Sequence, residues 1–218
     1  MKYAVLKLPR TSDTALNYDV KNVEAMRHPF YAWLGLRPAL AQHTAAEHET
    51  MQRWSRGRKT LVEIGVAEGV SALAPRQGMA EDATLTLIDP FHLSRYPVLN
   101  FMKRVARCAV ESEKRGKVIW REEFSHNAVQ SWIEPIDLVL IDGDHAEAAV
   151  ERDWNDWSVF VKPGGVVIFH DACLFDDGWT SVEYGPVRLI NRLFRNGNVP
   201  GWRVVDEVHS LIVIEREK

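Results

Sequence analysis

A short apolar segment followed at once by two glycines is the feature that most constrains how this chain can fold. Residues 61–64 are predicted to form a buried strand, Gly65 and Gly69 bracket a tight turn, and residues 70–73 are predicted to start a helix. This order is typical of a nucleotide site in a parallel sheet. Glycine allows a ligand to approach the backbone, because a Cβ atom would collide with it. A glycine pair also fits an ordinary tight turn, so other parts of the chain must distinguish a ligand site from a simple turn.

The spacing of the glycines argues against a dinucleotide. That fingerprint is G-x-G-x-x-G, whereas this turn is G-x-x-x-G with an acid, Glu63, two residues before Gly65. A carboxylate beside a diphosphate would be repelled. The cationic end of a ligand such as S-adenosylmethionine, with its ammonium and sulfonium groups, would be tolerated or stabilised there.

Length and composition indicate one ordinary globular domain. The chain has 218 residues, 46% apolar and 26% charged, and a net charge of −3, which gives no reason to expect nucleic acid or an anionic membrane as a partner. Two cysteines, Cys108 and Cys173, have no metal-binding spacing, so we expect a reduced, cytoplasmic protein. The N-terminal apolar run is too short for a signal peptide, and no apolar run could span a bilayer.

Strand and helix patterns alternate along most of the chain, which predicts an α/β fold. We expect a Rossmann-like, doubly wound sheet of seven strands, mostly parallel, with helices on both faces and an antiparallel strand from a C-terminal hairpin. The predicted strands are residues 60–64, 84–89, 117–120, 136–142, 166–169, 202–208 and 211–215. The predicted helices follow Gly69, span 97–114 and 126–132, carry the stripe Val150, Trp154, Trp157 and Val161, and begin at Pro186.

The N-terminal region is expected to be a helical extension or lid over residues 1–55, followed by the main domain over 56–218. Residues 1–18 are expected to be extended or loose. Residues 19–42 are rich in aromatic side chains and predict one or two short helices broken by Pro29 and Pro38. Thr44-Ala-Ala-Glu47 is a capping box that should start a helix running to about Ser55. The aromatic segment could form a lid or a homodimer contact, or it could simply pack on the sheet.

Polar side chains follow several predicted strands, at the edge of the sheet where ligands bind in such folds. Asp89 ends the second strand, where an acid binds ribose hydroxyls, although it could only start a turn. Asp142 and Asp171 end two other strands, and two converging carboxylates repel each other unless a cation lies between them. A hard divalent cation, magnesium first, would fit oxygen ligands. His170 could be a third ligand or could pack inside, and both acids could instead be exposed strand ends that cap helices.

His145 lies three residues after Asp142, near the predicted start of the next helix. A histidine in this position could accept a proton from a substrate hydroxyl that is bound to the cation. An isolated histidine there could equally be a capping or surface residue.

Three segments together resemble a known family. Glu63-Ile-Gly-Val-Ala-Glu-Gly-Val-Ser71 resembles the first cofactor motif of the class I S-adenosylmethionine-dependent O-methyltransferases, in particular the cation-dependent catechol and caffeoyl-CoA type. Ile-Asp-Gly-Asp-His145 and Pro-Gly-Gly-Val-Val-Ile-Phe-His-Asp171 are similar to the bacterial group that includes the macrocin-type sugar O-methyltransferases. The resemblance covers residues 60–172 in the right order.

The resemblance implies a set of roles at matching positions. S-adenosylmethionine would be held at its methionine end by Glu63, Gly65 and Ser71, with Gly69 allowing the close turn. Asp89 would bind the ribose, and Ser125 and His126 would lie near the adenine. Asp142 would contact both the cation and the methyl donor, Asp171 would be the second cation ligand, and His145 would occupy the position of the base. The acceptor implied is a small hydroxylated molecule, a sugar or a secondary metabolite, near Trp33, Trp179 and Tyr184 unless these rings only pack.

Two departures from the family pattern affect the cation site. The catechol type has an Asp-Asn pair where this chain has Asp171-Ala172, so an amide ligand is missing. The macrocin-like group has an acid where this chain has His170. A softer cation site, an incomplete one or none therefore stays open. Two other functions are alternatives: a nicotinamide-dependent oxidoreductase, disfavoured by the glycine spacing, and a non-catalytic scaffold or sensor of the same fold.

Overall fold

The computed structural model describes residues 23–91, 100–176 and 178–218. The predictions for residues 1–22, for the loop segment 92–96, for the start of the helix predicted over 97–114 and for Asp177 lie outside the described residues.

Seven strands form one sheet in the order β3-β2-β1-β4-β5-β7-β6. All pairs from β3 to β5 are parallel, and β7 pairs antiparallel with both β5 and β6. The α/β, mostly parallel sheet with an antiparallel C-terminal hairpin strand is therefore confirmed. The strands are β1 Thr60–Ile64, β2 Thr84–Ile88, β3 Lys117–Arg121, β4 Ile136–Ile141, β5 Val161–Phe169, β6 Trp202–Val208 and β7 Leu211–Arg216.

The helices lie on both faces of the sheet. They are α1 Val23–Trp33, α2 Ala45–Ser55, α3 Leu73–Gly78, α4 Phe101–Ser112, α5 Ser125–Ala128, α6 Glu147–Ser158 and α7 Gly185–Ile190, with a 3₁₀ turn at Val129–Ser131 and a π turn at Asn191–Arg195. One buried cluster joins a sheet face to α6 and α7 through Trp154, Trp157 and Leu189. A second joins the other face to α2 and α4 through Met51 and Ala106. Strand β4 is buried along its whole length between these layers, as parallel sheets require.

Three boundaries differ from the sequence predictions. Helix α1 continues through Pro29, whose ring is buried, because one missing backbone donor does not outweigh the packing of that face. Helix α3 begins at Leu73 rather than Val70, so Pro75 falls in its first turn, where no intrahelical donor is needed. Val161 does not extend the stripe of α6 but starts β5 opposite Ile136, and the strand passes the Pro163 segment as a bulge.

The N-terminal helices contact the main layer in different ways. Thr44 caps α2 with both bonds of the predicted capping box, and α2 ends at Ser55 as expected. In α1, Phe30 and Trp33 pack on Phe101 of α4, with ring centroids 5.1 Å apart in each pair. Phe30 and Leu34 remain exposed, and a homodimer contact on this helix stays a prediction.

In the part of the chain that the structure describes, no helix is long and apolar enough to cross a membrane.

A close approach between β1 and β4 sets the position of the glycine turn. Gly65 has a φ of +84°, and a Cβ atom there would lie 2.1 Å from the carbonyl oxygen of Asp142. Asp142 N in turn donates to Ile64 O at 2.9 Å. Only glycine can occupy this position without separating the two central strands.

Replacing Gly65 with alanine should therefore destabilise the fold more than the same change at a glycine that only has a positive φ. Gly57 is the matched control, because its φ is +69° and a Cβ atom added there would have no other atom within 4 Å. We expect Gly57→Ala to lower the free energy of unfolding by roughly 1–2 kcal/mol and Gly65→Ala by about 3 kcal/mol or more. Urea unfolding of both variants measures the difference, and equal losses would contradict the close approach.

Candidate active site

The side chain of Asp89 holds the glycine turn after β1 through hydrogen bonds. Asp89 Oδ2 accepts hydrogen bonds from Val66 N at 2.9 Å and Ala67 N at 3.0 Å, and its Oδ1 accepts from Phe91 N at 2.7 Å. Ala67 has a φ of +46°, so these bonds help to hold a backbone conformation that is strained for a non-glycine residue. Asp89 thus lies at the carboxyl end of β2 beside the turn, and its contact with ribose stays a prediction.

Glu63 is a fully buried acid with one oxygen unsatisfied. Its Oε1 accepts a hydrogen bond from Ser71 Oγ at 2.5 Å, whereas Oε2 has no partner among the described residues. Burial, together with the charge of Asp142, raises the pKa of Glu63 to about 8. Buried polar atoms are normally paired, so an unpaired one calls for a partner such as a water, a ligand or an ion. A ligand ammonium at this position would fit the orphan oxygen, so the residues present suit the methionine end of S-adenosylmethionine.

The carboxyl ends of β4 and β5 bring Asp142, His170 and Asp171 together. His170 Nδ1 lies 3.2 Å from Asp142 Oδ1 and 3.3 Å from Asp171 Oδ1. One ligand atom from each residue lies within 4.8 Å of the others. Ligands on adjacent corners of an octahedral divalent ion lie roughly 3 Å apart. The three side chains that the sequence nominated as cation ligands therefore form a donor set of suitable spacing.

The charges in this cluster depend on one another. Burial alone would raise the pKa of Asp142, but His170 and His145 hold it well below its ordinary value. Asp171 behaves in the opposite way, because burial and the charge of Asp142 raise its pKa. For His170 burial acts to lower the pKa, but Asp142, Glu47 and Asp171 together raise it well above the ordinary range. The two carboxylates thus require a positive charge between them, either a proton on His170 or a cation.

His145 lies on the solvent side of the same cluster. Its Nε2 is 3.4 Å from Asp171 Oδ2 and 3.8 Å from Asp142 Oδ1, and the side chain is exposed. The Asp142 carboxylate raises the pKa of His145. Helix α6 begins only at Glu147, so His145 belongs to the preceding loop and does not cap the helix. A cation held between the two acids would offset this rise in pKa, and the exposed imidazole could then accept a proton from a neighbouring ligand.

Aromatic side chains line the exposed side of the acids. Trp179 Nε1 donates to Asp171 Oδ1 at 2.6 Å, and the Trp179 ring packs on Phe175 with centroids 5.0 Å apart. Tyr184 lies 5.8 Å from the His145 ring. Trp33 packs instead on Phe101, and Arg104 lies over its ring, so its part in an acceptor site stays a prediction.

Two residues behind His170 could not be found from the sequence. Glu47 is fully buried, and its Oε1 accepts from Ser210 N at 2.9 Å and from Ser210 Oγ at 2.6 Å. Its Oε2 accepts from Thr44 N at 2.7 Å and lies 3.7 Å from His170 Nε2. The capping box identified Glu47 as a helix-start residue only, and no sequence signal pointed to Ser210 in the β6–β7 turn.

Ser125 and His126 begin α5, after β3. Ser125 Oγ donates to Asp153 Oδ1 of α6 in a buried pair at 2.5 Å. His126 stacks on Phe124 with centroids 5.4 Å apart, and its buried Nδ1 has no partner among the described residues. Their nearness to adenine stays a prediction. Asp153, which no sequence pattern singled out, fixes Ser125 against α6.

A further acid that the sequence patterns missed, Glu68, ties the glycine turn to the N-terminal segment. Glu68 Oε1 lies 2.7 Å from His28 Nδ1 on α1, and its Oε2 accepts from Leu40 N at 2.7 Å. The region predicted to be an extension or lid thus contacts the glycine turn directly.

Comparison with known proteins identifies the family. A family model described as a methyltransferase domain matches residues 62–172, about half of the chain. The chain therefore belongs to this methyltransferase family, and its fold is that of the class I S-adenosylmethionine-dependent members.

Individual relatives agree with the family. A provisionally named O-methyltransferase from Mycobacterium sp. (strain JLS) is 31% identical over 120 residues, covering 53% of this chain and 50% of that protein. The chain thus spans about half the length of the curated relatives it matches. Two solved structures have the same fold. They are the O-methyltransferase TomG from Streptomyces achromogenes in complex with SAM (TM-score 0.62, 15% identity, 92% of this chain and 93% of that one) and the O-methyltransferase from Bacillus cereus in complex with SAH (TM-score 0.56, 16% identity, 91% and 93%).

The buried Ser125–Asp153 pair generates a prediction about pH. Burial raises the pKa of Asp153 from 3.8 to about 6. Because the folded-state pKa lies above the unfolded one, the contribution of this group to stability is present below pH 4 and is lost as pH rises through 6. Asp153→Asn keeps the acceptor for Ser125 but removes the titration. We expect the free energy of unfolding of the variant, relative to wild type, to rise by roughly 2–3 kcal/mol between pH 4 and pH 7.

Denaturant unfolding of both proteins across this range gives the difference directly. The control is Glu111→Gln, since Glu111 is an exposed acid on α4. If the difference between Asp153→Asn and wild type did not change with pH, Asp153 would not be a desolvated acid.

Proposed function

We propose that this protein is an S-adenosylmethionine-dependent O-methyltransferase acting on a hydroxyl group of a small molecule, a sugar or a secondary metabolite, with the help of a divalent cation. The observation that carries this proposal is the adjacency of Glu63, a buried acid with one unpaired oxygen among the described residues, to a cluster of two acids and two histidines, all at one edge of a methyltransferase-family sheet.

The cofactor side of the proposal depends on Glu63, Gly65 and Ser71. S-adenosylmethionine supplies a sulfonium-activated methyl group when bound. Ser71 donates to one oxygen of Glu63 and so directs the other oxygen, Oε2, toward a ligand ammonium. Gly65 and Gly69 let the turn pack against the backbone of Asp142 and Ala106, and Asp89 keeps the turn in shape while presenting its carboxylate for the ribose.

The acceptor side depends on Asp142, Asp171 and His145. A divalent cation held by Asp142, Asp171 and His170 would lower the pKa of a bound hydroxyl. His145 is the residue placed to take up the hydroxyl proton, since its ring is exposed and its Nε2 is directed at both acids. Trp179 holds Asp171 through the indole N–H, and its ring with that of Tyr184 offers a flat surface for an aromatic ring or the apolar face of a sugar.

The cofactor assignment is tested by calorimetric titration of the protein with S-adenosylhomocysteine and, separately, with NADH. We expect micromolar affinity for S-adenosylhomocysteine and no binding of NADH. At pH 7 binding should release a proton from Glu63, whose pKa is about 8 in the free protein, because the ligand ammonium favours the carboxylate. The heat should then depend on the ionisation enthalpy of the buffer, and the affinity should rise from pH 6 to pH 8.

Glu63→Gln is the diagnostic variant for this titration. It should weaken S-adenosylhomocysteine roughly tenfold to hundredfold, as expected for loss of a charge-assisted hydrogen bond, and should abolish the proton release. Glu49→Gln, an exposed acid on α2, is the control. Binding of NADH instead of S-adenosylhomocysteine would refute the proposal, and binding of neither would favour a scaffold.

The proposed base is tested on the acceptor that a screen of phenols and sugars identifies. His145→Ala should lower turnover by about 10²–10⁴-fold while S-adenosylhomocysteine affinity stays within a few-fold. His209→Asn is the matched control, because His209 is also an exposed histidine near the site rim and stacks on Phe175. Wild-type turnover in His145→Ala would reduce His145 to a surface residue.

A further inference from the structure

The two nitrogens of the buried His170 ring face two separate groups of oxygen atoms. Nδ1 faces Asp142 Oδ1 at 3.2 Å and Asp171 Oδ1 at 3.3 Å. Nε2 faces Ser210 Oγ at 3.5 Å and Glu47 Oε2 at 3.7 Å. The oxygen atoms on both sides can accept, so without a cation each nitrogen can carry a hydrogen, and a cation bound to one nitrogen would replace the hydrogen there.

The hydrogen bonds around Glu47 leave Ser210 with no proton to offer His170. Glu47 Oε1 and Oε2 accept from the backbone N–H groups of Ser210 and Thr44, which can only donate. The single hydroxyl proton of Ser210 is directed at Glu47 Oε1 over 2.6 Å. Toward His170 the Ser210 oxygen is thus an acceptor, as is Glu47 Oε2. Both neighbours of Nε2 accept, so Nε2 keeps its hydrogen when a cation between Asp142 and Asp171 displaces the hydrogen on Nδ1, and the Nδ1 lone pair then becomes the ligand.

We propose that Glu47 and Ser210, here called the Glu47–Ser210 pair, are positioning residues that fix His170 with Nδ1 as the nitrogen ligand of a divalent cation shared with Asp142 and Asp171. This inference rests on the proposed function for its cation. Metal-binding histidines generally donate their second ring N–H to a carboxylate or another oxygen, and this contact fixes ring orientation and ligand basicity.

Ser210 also holds the chain that carries Asp171. Its carbonyl oxygen accepts from Ala172 N at 2.7 Å and Cys173 N at 3.0 Å. Asp171 itself has a φ of +54°, a conformation that a non-glycine residue keeps only when its surroundings impose it. The β6–β7 turn therefore orients two of the three ligands, through the His170 ring on one side and the Asp171 backbone on the other.

A nitrogen ligand changes the class of cation that the site prefers. Mg²⁺ favours oxygen ligands and retained waters, whereas imidazole favours first-row transition ions. Two carboxylates and one imidazole thus suit Mn²⁺, Co²⁺ or Zn²⁺ better than Mg²⁺. The expected cation for this chain is a transition ion rather than the magnesium that an all-oxygen site would hold.

The test uses Mn²⁺ as the probe on the full chain. Electron paramagnetic resonance should give one Mn²⁺ site, and spin-echo spectra should contain modulation from a directly bound nitrogen that is lost in His170→Ala. Mg²⁺ should compete only at a concentration more than tenfold higher. Glu47→Gln and Ser210→Ala should each weaken Mn²⁺ by about 10–100-fold while S-adenosylhomocysteine affinity, measured without metal, stays within threefold.

Thr44→Ala is the matched control for damage to α2. It removes the hydroxyl that caps Glu47 N but leaves the carboxylate of Glu47 facing His170, so Mn²⁺ affinity should stay within threefold. If Glu47→Gln does not fold, Ser210→Ala carries the test, because it keeps the backbone bond to Glu47.

Three results would overturn the inference: no Mn²⁺ binding, Mn²⁺ binding without nitrogen modulation, or equal losses in Glu47→Gln and Thr44→Ala. Failure of the proposed function gives a different pattern. S-adenosylhomocysteine would not bind, while nitrogen-coordinated Mn²⁺ and its dependence on Ser210 would remain.

Discussion

The approach of β1 to β4 at Gly65 is the contact on which the candidate site depends. The Asp142 carbonyl lies where a side chain of residue 65 would be, and Asp142 N is bonded to Ile64 O. The glycine turn and Asp142, the first candidate cation ligand, therefore lie directly against each other. A methyl donor lying over the turn and a hydroxyl bound at Asp142 would therefore meet beside this contact without any movement of the sheet. Methyl transfer requires that the two groups be brought together and aligned in this way.

Buried charge is compensated throughout this edge of the sheet, with one exception. Ionised groups removed from water are costly unless they are paired and hydrogen-bonded. Glu47 has Thr44 and Ser210, Asp171 has Trp179, and the histidines lie between the acids. Only Glu63 keeps an oxygen without a partner among the described residues. The exception lies beside the glycine turn, where the proposed function puts the ammonium of S-adenosylmethionine, and this ligand would supply the missing partner of the orphan oxygen.

The fold could be predicted from sequence where one local pattern dominates. The apolar runs of β1 and β4 and the capping box at Thr44 specified their elements to within a residue. The errors at Pro29 and Val161 have a common cause. Local rules end a helix at proline and extend a stripe by periodicity, but tertiary packing buried the Pro29 ring and strand pairing took Val161 into β5 opposite Ile136.

The same distinction applies to the site. Asp142, His170 and Asp171 could be brought together from sequence because each follows a strand, and strand ends of a parallel sheet meet at one edge. Glu47 and Ser210 could not, since they are 163 residues apart and belong to a helix and a hairpin turn whose docking no local pattern specifies. Their contact exists only after α2 has packed against the β6–β7 turn.

This long-range contact also gives a physical meaning to both departures from the family pattern. Ala172, at the position of the family's amide ligand, is buried, and its N–H is bonded to Ser210 O, so the position is structural in this chain. His170, at the position of an acid, lies between the two carboxylates and against the Glu47–Ser210 pair. A third carboxylate at position 170 would lie among Glu47, Asp142 and Asp171 and would add to the repulsion between these acids. With Glu47 buried behind it, an imidazole is the side chain that can supply a ligand on one side and a hydrogen-bond donor on the other. The loss of the amide and the change from acid to histidine thus belong to one arrangement. In it, Glu47 and Ser210, which lie behind the candidate ligands, determine which side chains can occupy positions 170 and 172.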